Sequence, residues 1–238
     1  MPRRAGTSPP STAASPKHGP RIACGIDSDQ EGAPCAPAVG YLVFDLETTG
    51  LGDRCRIVEF AGIVLDSGLR TGKCYETLVN PGGTPGPTWL HGLDREMLCL
   101  APSFEDVASD IERLFRDRVV VAHNLKFDWS VLRRSFGALG VEVPVTNGGV
   151  CTATVARRAL PGPSGLGQVC RHLGVGCPAP HRAGPDASAT VEVLRALQAK
   201  VPTLTTGRPC PVFSGAWRLH ASLPALRRAD AASRLGRS

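Results

Sequence analysis

Tyr41-Leu42-Val43-Phe44-Asp45-Leu46-Glu47-Thr48-Thr49-Gly50 is the stretch on which the reading of this chain turns. Its first six residues are apolar and β-prone except for Asp45, as expected of a short interior strand. Asp45 and Glu47 stand two residues apart, so strand alternation sends both carboxylates to one face at the strand's end. Two acids that close repel each other unless a cation neutralises them. Thr48, Thr49 and Gly50 follow at once, with two hydroxyls and a residue that admits close backbone approach. An isolated Asp-x-Glu is more often a solvated strand end, so its meaning depends on the rest of the chain.

Residues 56–65 and 72–79 repeat the strand pattern, and Asn80-Pro81-Gly82-Gly83 closes the third run. Three strands in close succession predict an antiparallel meander. The period then changes: Phe104, Val107, Ile111 and Leu114 recur at helical spacing behind Ser103, a good N-cap. Residues 119–122 read as a buried strand and 127–136 as a helix. Further helices are predicted over about 152–159, 166–173 and 185–199, with Pro185 suited to a first turn. Alternation of strand and helix makes the second half α/β.

The chain has 238 residues, 42% of them hydrophobic and 20% charged, which suits one globular domain with tails. That domain is placed at residues 40–200. Residues 1–39, rich in Pro, Ser, Gly and Ala without apolar periodicity, are expected to be disordered. Residues 201–238 are expected to form a disordered basic tail. The net charge of +6 lies in these ends: residues 1–40 carry +1, residues 201–238 carry +5, and the middle balances to zero. A basic tail suits non-specific attraction to phosphate, and equally suits plain solubility. Nine cysteines without a Cys-x-x-Cys pair fit neither a disulfide framework nor a zinc ribbon, and point to a reducing cytoplasm. No apolar run approaches the roughly 18 residues of a spanning helix, so no membrane role is expected.

Two further segments place acids where chemistry is done. The strand 119–122 runs into His123-Asn124 and then Phe127-Asp128 on the opening turn of a helix, at the strand end where open α/β sheets bind ligands. His181 lies five residues before Asp186, which sits in the first turn of the last helix. Each feature alone has an ordinary explanation, since Asp favours any helix start. Phe127 reads as core rather than as a stacking platform.

Together, Phe44-Asp45-Leu46-Glu47-Thr48-Thr49-Gly50, His123-Asn124-Leu125-Lys126-Phe127-Asp128, and His181 with Asp186 resemble the three motifs of the DnaQ-like (DEDD) exonuclease family. The residue four before Asp186 is Arg182, where one branch of that family has Tyr, so the chain resembles the histidine branch. The similarity extends over about residues 41–197 and includes His91-Gly92-Leu93 and Cys151-Thr152. It is nearest to the proofreading (epsilon) subunits of bacterial DNA polymerase III and their free-standing relatives. Cys151 and Gly167 depart from the usual acids at their positions, outside the catalytic set.

The resemblance implies a ribonuclease H-like α/β fold with a mixed five-stranded sheet flanked by helices. It implies 3′–5′ exonucleolytic hydrolysis of DNA, preferably single-stranded, in proofreading or repair. Two divalent metal ions, Mg²⁺ or substituting Mn²⁺, would be held by Asp45, Glu47, Asp128 and Asp186, with His181 as general base. Thr48, Thr49, Leu51 and Asn124 would receive the strand, and a DNA polymerase subunit is an implied partner. Hard oxygen ligands agree with such metals, and imidazole titrates where a base is needed. An exoribonuclease of the same fold and an idle nucleic-acid-binding module are the alternatives.

Overall fold

Two nine-residue strands, β1 (Gly40–Thr48) and β2 (Ile57–Leu65), run antiparallel with Tyr41 opposite Leu65 and Glu47 opposite Glu59. β3 (Thr71–Leu78) adds to β2 and completes the expected meander. The computed structural model describes residues 40–141, 148–162, 164–177 and 181–201. The tails 1–39 and 202–238, expected to be disordered, lie outside the described residues. Two short helices, α1 (Thr88–His91) and α2 (Arg95–Cys99), precede α3 (Phe104–Phe115). Then come β4 (Arg118–Ala122), α4 (Leu125–Ala138) and β5 (Gly149–Cys151), followed by α5 (Thr152–Ala159), α6 (Leu166–Leu173) and α7 (Ala183–Lys200).

The sheet order is β3-β2-β1-β4-β5, antiparallel through the meander and parallel from β1 to β4 to β5. This is the mixed five-stranded sheet the resemblance implied. Alternation along β1 sorts its side chains between two cores. Leu42, Phe44 and Leu46 join α3 and α4 on one face, where Phe115 meets Phe44 edge-on at 5.3 Å. Tyr41 and Val43 face α5, α6 and α7 on the other. Each fully buried Leu or Phe contributes roughly 1.5–3 kcal/mol, so both layers are held by packing. Asp45, Glu47 and Glu59 are odd-numbered and therefore lie on the α7 face, which α7 crosses over β1 and β2.

Local chemistry explains most boundaries. Ser103 caps α3 through Asp106 in a reciprocal capping box, an arrangement whose loss costs about 1 kcal/mol. Phe127 packs against the α3–α4 core. α7 begins at Ala183, two residues before the predicted start, because its first free N–H finds an acceptor on β2, Glu59. β5 was absent from the sequence reading as a strand: its three residues are all buried and show no alternation.

Candidate active site

The parallel pairing of β1 with β4 puts their carboxyl ends side by side, and three acids converge there from one strand and one helix. Asp45 and Glu47 come from β1, and Asp128 from the first turn of α4. Asp186 joins them from the first turn of α7. Burial pushes Asp45 well above the ordinary carboxylate range, and the negative charges of Asp128, Asp186, Glu47 and Glu59 push it further. Glu47 is raised to about 7, mainly by burial and then by Asp186 and Glu59, with Arg182 acting in the opposite sense. Asp128 is also raised to about 7 by burial. Burial raises Asp186 too, against the hydrogen bond it accepts from the His181 amide. Mutual repulsion of this kind is what a bound cation relieves.

His181 stands at the mouth of this cluster, exposed and with φ +67°. A left-handed conformation costs a non-glycine residue about 1–2 kcal/mol, so neighbouring contacts must hold it. Its N–H donates to Asp186 Oδ2 at 3.0 Å. Glu47, His181 and Asp186 each offer a ligand atom within 4.8 Å of the other two. Asp186 Oδ1 is buried without a hydrogen-bond partner. An orphaned carboxylate oxygen beside a second carboxylate and an imidazole, with no thiolate in the set, fits a hard divalent cation.

Arg182, at the position where the other branch carries Tyr, is bound to Glu59, the acid opposite Glu47 on β2. Its guanidinium grips Glu59, with Nη2 2.6 Å from Oε1 and Nε 3.0 Å from Oε2. Of the two residues, only His181 is left at the mouth.

The turn after β1 is built from its own hydroxyls. Thr48 Oγ1 donates to the Gly50 carbonyl at 2.7 Å, and Thr49 Oγ1 accepts from the Arg56 N–H at 3.0 Å. Gly86, at φ +87°, lies so close that any Cβ would collide with the Thr49 backbone. Leu51 projects from the turn 86% exposed, although the turn itself is braced. Asn124 occupies the N-cap of α4 without a side-chain cap bond, and its exposed amide faces outward from the helix start. His123, by contrast, is fully used: Nε2 lies 2.7 Å from the Ser164 carbonyl and Nδ1 2.9 Å from Thr152 Oγ1. A carbonyl can only accept, so Nε2 carries the proton and Nδ1 accepts. Burial lowers the His123 pKa, keeping the ring neutral as a brace between β4 and α5.

The chain has relatives among known proteins. The model of the RNase_T exonuclease family matches residues 42–194. The chain belongs to this family. A DNA polymerase III subunit epsilon-like protein of Rhodobacter capsulatus is 38% identical over 180 residues, which are 70% of this chain and 25% of that protein. A PolC-type DNA polymerase III of Staphylococcus aureus is 30% identical over 200 residues, 78% of this chain and 14% of the polymerase. The chain thus spans a quarter or less of those two relatives.

Among solved structures, E. coli Exonuclease I in complex with a dA16 oligonucleotide superposes with TM-score 0.63 at 20% identity, over 70% of this chain and 42% of that one. Exonuclease X in complex with 5′ overhanging duplex DNA gives TM-score 0.57 at 25% identity, over 68% and 93%. Residues 42–194 are thus a domain of an exonuclease family.

Glu59 and Arg182 are the site residues that sequence reasoning passed over. The signal was present: an acid inside the apolar run Ile57-Val58-Glu59-Phe60 cannot be buried without a partner.

Proposed function

We propose that the chain is a 3′–5′ exonuclease of DNA that uses two divalent cations, Mg²⁺ or substituting Mn²⁺, and releases nucleoside 5′-monophosphates. The observation that carries this is the convergence of Asp45, Glu47, Asp128 and Asp186 at the carboxyl ends of β1 and β4, with His181 at the mouth and the Thr48–Leu51 turn alongside. Asp45, Glu47, Asp128 and Asp186 would hold the cations, which would supply Lewis-acid activation of water and neutralise charge on the departing 3′ oxygen. His181 takes the proton of the attacking water through its imidazole, from an exposed position that substrate can reach. The backbone of Thr48 and Thr49 receives the terminal 3′ hydroxyl, Leu51 lies against the last base, and Asn124 orients the strand.

Polarity follows from where the turn sits. A terminal nucleotide held by residues 48–51 would present its own 5′ phosphate to the carboxylates, in a turn that Gly86 backs closely at Thr49. A paired end must unstack to enter, at a cost of a few kcal/mol that is smallest for frayed or mismatched ends. The polymerase III relatives favour proofreading or repair and a polymerase partner in the cytoplasm; none of the described helices is long and apolar enough to cross a membrane. Matched DNA and RNA strands, each blocked at one end, test the whole reading in Mg²⁺, Mn²⁺ and Ca²⁺. DNA should be digested faster than RNA, and a bulky 3′ block should protect where a 5′ block does not. Cutting of circular DNA, or protection by the 5′ block alone, would overturn the polarity; faster loss of RNA would make the enzyme an exoribonuclease.

A further inference from the structure

Glu59 is 1% exposed and lies directly opposite Glu47 on the neighbouring strand, so the two side chains share the α7 face. Its carboxylate accepts from Arg182 Nε at 3.1 and 3.0 Å, from Arg182 Nη2 at 2.6 Å, and from the Ala183 N–H at 2.9 Å. These donors belong to the two residues that follow His181. On the other side of the same turn, Asp186 Oδ2 accepts the His181 N–H. We infer that the Glu59–Arg182 pair is a positioning device that clamps the start of α7 to β2 and thereby holds His181 over Glu47 and Asp186.

Three features support positioning over simple stabilisation. A buried ion pair adds little net stability once desolvation is counted, so its effect lies in fixing geometry. The residue it fixes, His181, lies in the left-handed region and needs its neighbours held on both sides. The clamp is also tight on its far side: a Cβ at Gly184 would come within 2.6 Å of a Glu76 carboxylate oxygen, so β3 closes against the same helical turn. Arg182 further cancels a charge that would otherwise add to the crowded acids, since Glu59 raises Asp45, Glu47 and Asp186 alike. The inference rests on the reading of His181 as the base.

The test uses the full chain with Glu59→Gln and Arg182→Lys, each alone and combined with His181→Ala. In metal-free protein, amide hydrogen exchange at His181 and Ala183 should speed up by about tenfold or more in Glu59→Gln, while core amides stay protected. Hydrolysis by Glu59→Gln should fall roughly 10- to 100-fold in kcat with little change in KM, as expected for a displaced base. In the His181→Ala background the same substitution should cost less than about threefold, because residues acting as a unit are not additive. Arg182→Lys keeps the charge without the planar fork and should show the same pattern at roughly 3- to 10-fold. If Glu59→Gln does not fold, Arg182→Lys at the half-exposed end of the pair decides. Equal slowing with and without His181, or unchanged His181 exchange, overturns the proposal. A parent chain that hydrolyses nothing would instead remove the functional reading, and the exchange measurement would still judge the clamp.

Discussion

The two halves of the site are built differently. Asp45 and Glu47 are carried by a central strand whose flanking residues are buried, Asp128 by a largely buried helix start, and Asp186 by the first turn of α7. His181 is exposed, on a turn in a strained conformation, and is held by hydrogen bonds rather than by packing. The difference teaches that charge and access are separated: the acids are fixed in a buried cluster, and the proposed base sits at its exposed mouth. Variants of the acids should therefore fail in binding metal, whereas variants of the histidine should fail only in turnover.

The largest effect should come from Asp45→Asn or Asp186→Asn, with loss of about three orders of magnitude or more in hydrolysis. Both variants should melt no lower than the parent without metal, because each removes repulsion. A variant that kept even a tenth of the activity would detach that carboxylate from the reaction. His181→Ala comes next. It should lose roughly 10²- to 10⁴-fold in rate and still bind Mn²⁺ in calorimetry; loss of Mn²⁺ binding with it would make the histidine a ligand and erase the contrast between the halves.

Acidity gives a third test, in the metal-free protein. Glu47 and Asp128 titrate near 7 when folded, against ordinary values of 4.5 and 3.8. The folded state thus binds more protons between those values, and stability falls as pH rises through 7. Melting temperature should drop by several degrees, on the order of 5 °C, from pH 5.5 to 8, and saturating Mg²⁺ should abolish the drop. A metal-free melting temperature that climbs over this range would contradict the repulsion among the acids. Smaller still, Leu51→Ala should raise KM for single-stranded DNA by a factor of about 3–10 through a lost base contact, with stability changed by less than about 0.5 kcal/mol. Equal KM would place the terminal base elsewhere.

The same contrast governs what could be read from the sequence. Asp45 and Glu47 were legible because strand alternation alone puts them on one face, and α3 because Ser103 and its apolar period are local signals. The spacing of His181 to Asp186 was legible as a motif. The left-handed turn and the helix start at Ala183 were not, because both depend on Glu59, 124 residues away from Ala183. β5 and the short helix α1 escaped for a related reason: three or four residues carry too little periodicity, and tertiary packing decides their state. Net charge said nothing of the site itself, since the excess of basic residues lies in the tails and the candidate site is acidic.

The most direct test of the account follows the fate of 5′-labelled single-stranded DNA in Mg²⁺ with the parent chain and with Asp45→Asn. The account predicts a ladder that shortens one nucleotide at a time from the 3′ end with the parent, and intact strand with the variant. Release of the labelled 5′ nucleotide as the first product, or a ladder of equal rate from Asp45→Asn, would contradict it.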